Sequence, residues 1–117
     1  MPNVREYLKE RAIMERKVFE QVESFSKEKP IHVPIFASNR TKVLLLCLSS
    51  GLAVPPHSHP GFEITLQPLK GRALLPINGE EIILVPGEIF FVDGEVSFSP
   101  RNPFDENFEM LIHLIER

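Results

Sequence analysis

The chain has 117 residues, 43% of them hydrophobic and 25% charged, which is enough for one folded domain with a modest core. Its formal net charge of −3 gives no broad positive field for nucleic acid, and no apolar run is long enough to cross a membrane. The single cysteine excludes an internal disulfide, and the first residues are charged, without the apolar core of a signal peptide. We therefore expect a cytoplasmic protein with no nucleic-acid or membrane partner.

The first part of the chain, residues 3 to 26, has the pattern of one helix. Asn3 is a suitable N-cap residue, and no proline or glycine interrupts the segment before Pro30. Apolar side chains recur at helical spacing and form a stripe of Val4, Leu8, Met14, Val18, Val22 and Phe25. We predict an N-terminal helical extension at residues 1–29, whose stripe covers either the rest of the domain or a partner subunit.

From residue 30 onward the pattern changes to short strands separated by turns, and residues 30–117 are predicted to form one β-domain. Eleven prolines and six glycines in the chain favour many turns and an all-β body. The predicted strands are Ile31 to Ala37, Val43 to Leu48, Phe62 to Gln67, Gly71 to Ile77, Glu80 to Val85, Glu88 to Val92, Val96 to Ser99 and Phe108 to Ile115. Turn signals at intervals of roughly 8 to 12 residues are typical of a β-sandwich or barrel.

Three of these segments carry more specific information. Ile31 to Ala37 contains Pro34, which has no N–H to donate to a neighbouring strand, so this strand is expected at a sheet edge. Val43 to Leu48 is apolar throughout, which predicts that both of its faces are buried. Asn78-Gly79 separates two predicted strands and favours a two-residue hairpin turn of type I′.

Two histidines and a glutamate lie within seven residues, at His57, His59 and Glu63. Side chains alternate in an extended segment, so His57 and His59 are expected on the same face. Glu63 keeps that parity if the strand continues through the bend at Pro60-Gly61. Two neutral imidazoles and one carboxylate suit a borderline divalent metal such as Fe, Mn, Ni, Co or Zn. We therefore predict a metal site on His57, His59 and Glu63.

The spacing of these residues resembles the first signature motif of the cupin superfamily. Gly51, His57, His59 and Glu63 stand where that motif has them, and Gly71 closes it one residue later than the motif does. The resemblance covers roughly residues 40 to 115. It implies a double-stranded β-helix, the jelly-roll barrel, with a small pocket inside the barrel that holds the metal.

The segment from Leu84 to Val92 resembles the second cupin motif, in which a Pro-Gly-acidic turn precedes a strand. The family usually supplies a histidine after this turn as a fourth metal ligand, and Phe98 stands at that position here. At most three ligands therefore come from the matched positions. His113, in the last strand, is expected on an outer or interface face, and His32 is expected to be a partly buried residue of the edge strand.

Two classes of function stay open for such a cupin. The first is a metal-dependent enzyme, an oxygenase or isomerase acting on a small organic molecule, in which the metal serves as Lewis acid and template. The second is a non-catalytic cupin that binds or senses a small molecule, with or without a metal. The missing histidine favours the second class. In either case we expect a small-molecule ligand in the barrel and a homodimer joined through barrel edge strands and the N-terminal helix.

Overall fold

The computed structural model describes residues 14–117, which form two layers of β-structure preceded by a short helix. The fold is the predicted all-β double-stranded β-helix, or jelly-roll barrel. The elements are helix α1 (Phe19–Val22) and strands β1 (Ile31–Ala37), β2 (Thr41–Leu48), β3 (Phe62–Lys70), β4 (Ala73–Ile77), β5 (Glu80–Leu84), β6 (Phe90–Asp93) and β7 (Phe108–Glu116).

The larger layer is a five-stranded antiparallel sheet in the order β1-β2-β7-β3-β6. Strand β1 lies at one edge, as its proline predicts, and its ladder shifts register between Pro34 and Phe36. Strand β2 is covered on both faces, and Leu45 to Leu48 are each 0% exposed. The uninterrupted apolar run of β2 is therefore explained by burial on both sides of the sheet.

The smaller layer is built on the predicted β4–β5 hairpin. Asn78 and Gly79 have φ angles of 52° and 80°, the left-handed values that a type I′ turn requires at both central positions. Two irregular segments extend this layer through backbone hydrogen bonds. The N–H of Leu74 donates a 2.8 Å hydrogen bond to the carbonyl of Arg101, and the N–H of Arg101 donates a 2.9 Å hydrogen bond to the carbonyl of Leu74. Arg101 also forms an isolated β-bridge with Ala53.

The predicted strand Val96 to Ser99 is wrong, because this stretch makes only an isolated bridge between Phe98 and His57. Prolines on both sides of the pairing explain the difference. Pro55 and Pro56 precede His57, Pro100 follows Phe98, and none of the three has an N–H to continue a ladder.

The main core lies between the two layers, and β7 shows how alternation builds it. Its inward residues Phe108, Met110, Ile112 and Leu114 all belong to the buried cluster, as the sequence pattern predicts. The residues between them, which include Glu109 and His113, point to the outer face of the large sheet. His113 is thus directed away from the barrel interior, in agreement with the prediction.

The predicted N-terminal helix is wrong for the described residues, where only Phe19–Val22 is helical. Val18 and Glu23 on either side are extended, with ψ angles of 120° and 145°. The part of the prediction that falls on residues 1–13 lies outside the described residues, and the division at residue 29 stays a prediction. Nowhere in residues 14–117 is a helix long and apolar enough to cross a bilayer.

Contacts with the sheet explain why the helical pattern gives a different structure. Residues 18–28, here called the N-terminal strap, run over the outer face of β1 and β2. Its apolar side chains Phe19, Val22 and Phe25 pack against a buried cluster of Ile35, Val43, Leu45 and Cys47. Ser49 Oγ also donates a 2.7 Å hydrogen bond to the carbonyl oxygen of Ser26. A short helix has little stability of its own, so these contacts decide the conformation.

Candidate functional site

A cavity of about 250 Å³ lies inside the barrel, between the two layers. Among the described residues, seven apolar side chains and three histidines line it. The lining consists of Leu44, Leu46, Val54, Phe98, Pro100, Ile112 and Leu114, together with His32, His57 and His59. The cavity thus combines a largely apolar wall with three imidazole rings.

The fold brings the two predicted histidine ligands together at this cavity. His57 is held by the backbone bridge to Phe98, with hydrogen bonds of 3.2 and 3.0 Å, and His59 donates its N–H to the carbonyl of Gly94 at 2.7 Å. The two rings meet edge to face with their centroids 4.8 Å apart. Both side chains are half-buried. The expected placement of His57 and His59 on one face is therefore confirmed.

The orientation of the His57 ring is set by its own loop. Its Nδ1 lies 3.0 Å from the carbonyl oxygen of Pro55. A carbonyl can only accept, so in the neutral ring Nδ1 carries the proton and donates it. Nε2 is then left as an acceptor, free to receive a hydrogen bond or to bind a metal. Histidines that ligate metals are commonly oriented by such a bond at the other nitrogen.

His32 is a third histidine at the cavity, which sequence reasoning did not assign to the site. Ile31 and Val33 pack in the outer cluster, so alternation turns His32 between them to the inner face. It pairs in register with Leu46, which also lines the cavity. Part of its surface is exposed to solvent and the rest faces the cavity, which places it at the cavity opening. The signal that could have identified it was this alternation against the apolar residues of β1 and β2.

Burial and neighbouring charges lower the pKa of two of the imidazoles, those of His32 and His59. Burial lowers the pKa of His32, and the charges of His57 and His59 lower it further. Burial also lowers the pKa of His59, followed by the charges of His57 and Lys42. Both environments favour a neutral imidazole, which is the form that binds metals and both donates and accepts hydrogen bonds.

The structure does not bring Glu63 to the two histidines. Its neighbours Ile64 and Leu66 on β3 are 0% exposed in the core, so Glu63 points to the outer face. Its carboxylate lies 3.9 Å from the guanidinium of Arg117. The chain turns at Gly61, where φ is +86°, instead of continuing as one strand, so the parity assumed in the sequence is lost there. Within residues 14–117, no three His, Cys, Asp or Glu side chains are arranged to hold a metal ion.

Phe98 faces the imidazoles, as its position in the second motif predicts. It is 3% exposed, and its ring centroid lies 5.0 Å from that of His57 and 6.3 Å from that of His59. An apolar ring therefore occupies the side of the cavity from which the cupin motif would supply a fourth ligand.

Two arginines, Arg72 and Arg101, are engaged away from the cavity. Arg72 lies over the ring of Phe104, with its guanidinium carbon 4.0 Å from the centroid, and Arg101 forms an ion pair with Glu81. Neither arginine lines the cavity. Among the described residues, the imidazoles are thus the only titratable groups in the cavity wall.

The chain is similar to known proteins both in sequence and in structure. The sequence profile described as "Cupin domain" matches residues 44–114. The structure is similar to that of TT1209 from Thermus thermophilus, with a TM-score of 0.82 and 27% identity over 89% of this chain and 99% of that one. No curated protein matches the chain.

Two further solved structures share the fold at lower identity. An uncharacterised conserved protein with a double-stranded β-helix domain from Klebsiella pneumoniae has a TM-score of 0.82 and 19% identity, over 88% of this chain and 90% of that one. A cupin superfamily protein from Desulfitobacterium hafniense has a TM-score of 0.76 and 18% identity, over 89% and 94%. At these identities the likeness concerns the fold alone.

Proposed function

This chain belongs to the cupin family, and from that premise we propose that it binds a small organic molecule in its barrel cavity, with His57 and His59 as polar contacts. The observation that carries the proposal is the cavity itself. It lies inside the barrel, its wall is mainly apolar, and imidazoles are its polar groups. An apolar wall with a few convergent polar groups is the usual composition of a small-molecule site.

The composition of the wall favours binding or sensing over turnover. General acid–base catalysis commonly needs two groups whose environments separate their pKa values, such as a carboxylate and a histidine. In the part of the chain that the structure describes, no carboxylate lines the cavity, and the carboxylate predicted from the sequence, that of Glu63, lies on the outer face. The proposed role is therefore that of a non-catalytic binding protein.

Methyl NMR of the protein tests this function. We expect single-ring probes to shift the resonances of Leu44, Leu46 and Val54, because these side chains line the cavity. The probes are toluene, benzyl alcohol, benzoate and benzylamine. Val54→Phe, or Leu44→Phe should the first variant fold poorly, should abolish the shifts by filling the space. Ile77→Phe, which lies at a separate cleft, should retain them. Absence of cavity shifts with all four probes would contradict the proposal.

Divalent metal binding by His57 and His59 is a second candidate function. The observation in its favour is the bond from His57 Nδ1 to Pro55, which leaves Nε2 free. The imidazole donors suit Zn, Cu, Ni or Fe, whereas the carboxylate of the predicted set lies elsewhere. A bound metal would supply Lewis-acid chemistry to an oxygenase or isomerase. The chain's own contribution would be to hold the two rings 4.8 Å apart in a largely apolar cavity.

Phe98→His is expected to tighten binding of Zn²⁺ or Co²⁺ by at least about tenfold, or about 1.4 kcal/mol. The new imidazole would stand beside His57 and His59, where the ring of Phe98 now lies. Competition with a chromophoric chelator measures the affinity, and the visible absorption of Co²⁺ reports the added nitrogen ligand.

Two further variants give this metal experiment its controls. His57→Ala/His59→Ala should lose the metal, and equal metal in this variant and the wild type would refute the site. Glu63→Gln should leave the affinity unchanged if the carboxylate stays on the outer face. A loss in Glu63→Gln as large as that in His57→Ala would instead support the three-ligand set predicted from the sequence.

A further inference from the structure

We infer that the cavity selects an uncharged ligand about the size of one substituted aromatic ring. The ligand carries a hydroxyl or another hydrogen-bond donor, and Nε2 of His57 accepts its hydrogen bond. This inference rests on the proposed binding function and specifies the chemical class of the ligand. It is derived from three observations: the size of the cavity, the charges around it and the orientation of one ring.

The size of the cavity limits the ligand. A buried apolar cavity of about 150 Å³ is large enough to hold benzene. The cavity here has about 250 Å³, which leaves room for one ring and a short substituent. A nucleotide is too large to be enclosed within it.

The lack of charged side chains in the described cavity wall disfavours a charged ligand. Of residues 14–117, no Lys, Arg, Asp or Glu lines it. Arg101 is paired with Glu81, and Glu63 lies beside Arg117 on the outer face. Burial of a charged group without a partner is costly, so a carboxylate or an ammonium on the ligand would be strongly disfavoured.

Lys42 is the charged residue that most directly challenges this conclusion. It pairs in register with the inward-facing Leu114 and lies close enough to His59 to act on its charge. However, Lys42 is exposed and does not line the cavity, so it stays hydrated. It is therefore the residue to vary if an anion binds.

The His57 ring determines the polar group that the ligand needs. Its Nδ1 donates to Pro55, so Nε2 is the free nitrogen of a ring that lines the cavity. An acceptor in an apolar wall is best satisfied by a donor on the ligand. A phenol or an alcohol meets this requirement, and an ether or a hydrocarbon does not.

Calorimetric titration or methyl NMR at pH 8 with the same four probes tests the inference. We expect benzyl alcohol to bind at least about tenfold tighter than benzoate or benzylamine, and several-fold tighter than toluene. His57→Phe should remove the preference for benzyl alcohol over toluene while toluene still binds. Leu44→Phe serves as the cavity-filled control for all probes.

The outcomes separate this inference from the proposed function. If none of the probes binds, the function itself fails. If benzoate binds as tightly as benzyl alcohol, the function stands and the inferred ligand class is overturned, and a loss of that binding in Lys42→Gln would identify the cause. Equal affinity for toluene and benzyl alcohol would overturn the role assigned to His57.

Discussion

Glu109→Gln is expected to stabilise the protein by about 3 kcal/mol at pH 8 and to change its stability little near pH 4.5. Glu109 is 0% exposed on the outer face of β7, and neither carboxylate oxygen has a hydrogen-bond partner among the described residues. Burial, followed by the neighbouring carboxylate of Glu23, raises the pKa of Glu109 to about 7. Gln has nearly the same shape and cannot ionise.

The groups that face Glu109 come from each element packed against it. Glu20 and Glu23 belong to the strap, and both raise the pKa of Glu109, whereas Lys70 of β3 opposes them. Lys70 also forms ion pairs with the strap, because its Nζ lies 3.7 Å from a carboxylate oxygen of Glu20 and 3.5 Å from one of Glu23. On β2, Cys47 pairs in register with Glu109, and burial raises the pKa of its thiol, so it adds no charge at neutral pH.

The sign of the pH dependence follows from the raised pKa. Below the unfolded value of 4.5, Glu109 is protonated in both states and contributes no difference. Between 4.5 and about 7 the unfolded chain releases this proton and the folded protein retains it, so stability falls as the pH rises. Above about 7 the difference is constant, and this is the contribution that Glu109→Gln removes.

Urea denaturation at pH 5 and pH 8 measures this effect. The wild type should lose more stability than Glu109→Gln between the two values. Glu116→Gln provides the matched control, since Glu116 is exposed on the same strand and its removal should leave the pH dependence unchanged. Parallel pH profiles for the wild type and Glu109→Gln would show that the buried carboxyl is not the source.

Much of the barrel could be predicted from sequence because its signals are local. The turn at Asn78-Gly79 needs two left-handed residues, and the sequence supplies residues that adopt this conformation readily. Strand β1 has the predicted bounds, since Pro30 precedes it and polar turn residues follow it. Alternation along β7 likewise identifies the core-facing residues from the sequence alone.

The sequence predictions failed where contacts between residues distant in sequence determine the conformation. The spacing of Phe19, Val22 and Phe25 is helical, but the sheet beneath them binds these side chains in a mainly irregular strap. Periodicity within one segment carries no information about the surface that receives it. The helix prediction could not be corrected without that surface.

The candidate site shows the same limitation at a single turn. The alternation of side chains predicted correctly that His57 and His59 share a face. The turn at Gly61 interrupts this alternation before Glu63. In contrast, His32 is distant in sequence and reaches the cavity only through the pairing of β1 with β2. The candidate ligands within one extended segment were therefore predictable, and those that depend on a turn or a strand pairing were not.

Gly94→Ala is expected to destabilise the protein by about 3 kcal/mol and to displace His59 from the cavity. A Cβ on Gly94 would collide with the carbonyl oxygens of His59 and Phe62, and both are backbone atoms that cannot rotate away. The carbonyl oxygen of Gly94 accepts a 2.7 Å hydrogen bond from the N–H of His59, and the N–H of Gly94 donates a 2.9 Å hydrogen bond to the carbonyl oxygen of Phe62. The methyl group would therefore force apart the backbone contacts that position the His59 ring.

Gly87→Ala separates this collision from the general effect of replacing a glycine. Gly87 has a φ of +96° but no atom of residues 14–117 within 4 Å of an added Cβ, so alanine there should cost about 1 to 2 kcal/mol from backbone strain alone. Urea denaturation compares the two variants, and the imidazole resonances of His59 report its position. Because Gly94 does not line the cavity, weaker binding of benzyl alcohol by the folded Gly94→Ala variant would report displacement of the neighbouring segments that do line it. An unshifted His59 resonance together with a stability loss no larger than that of Gly87→Ala would refute the positioning role of this backbone contact.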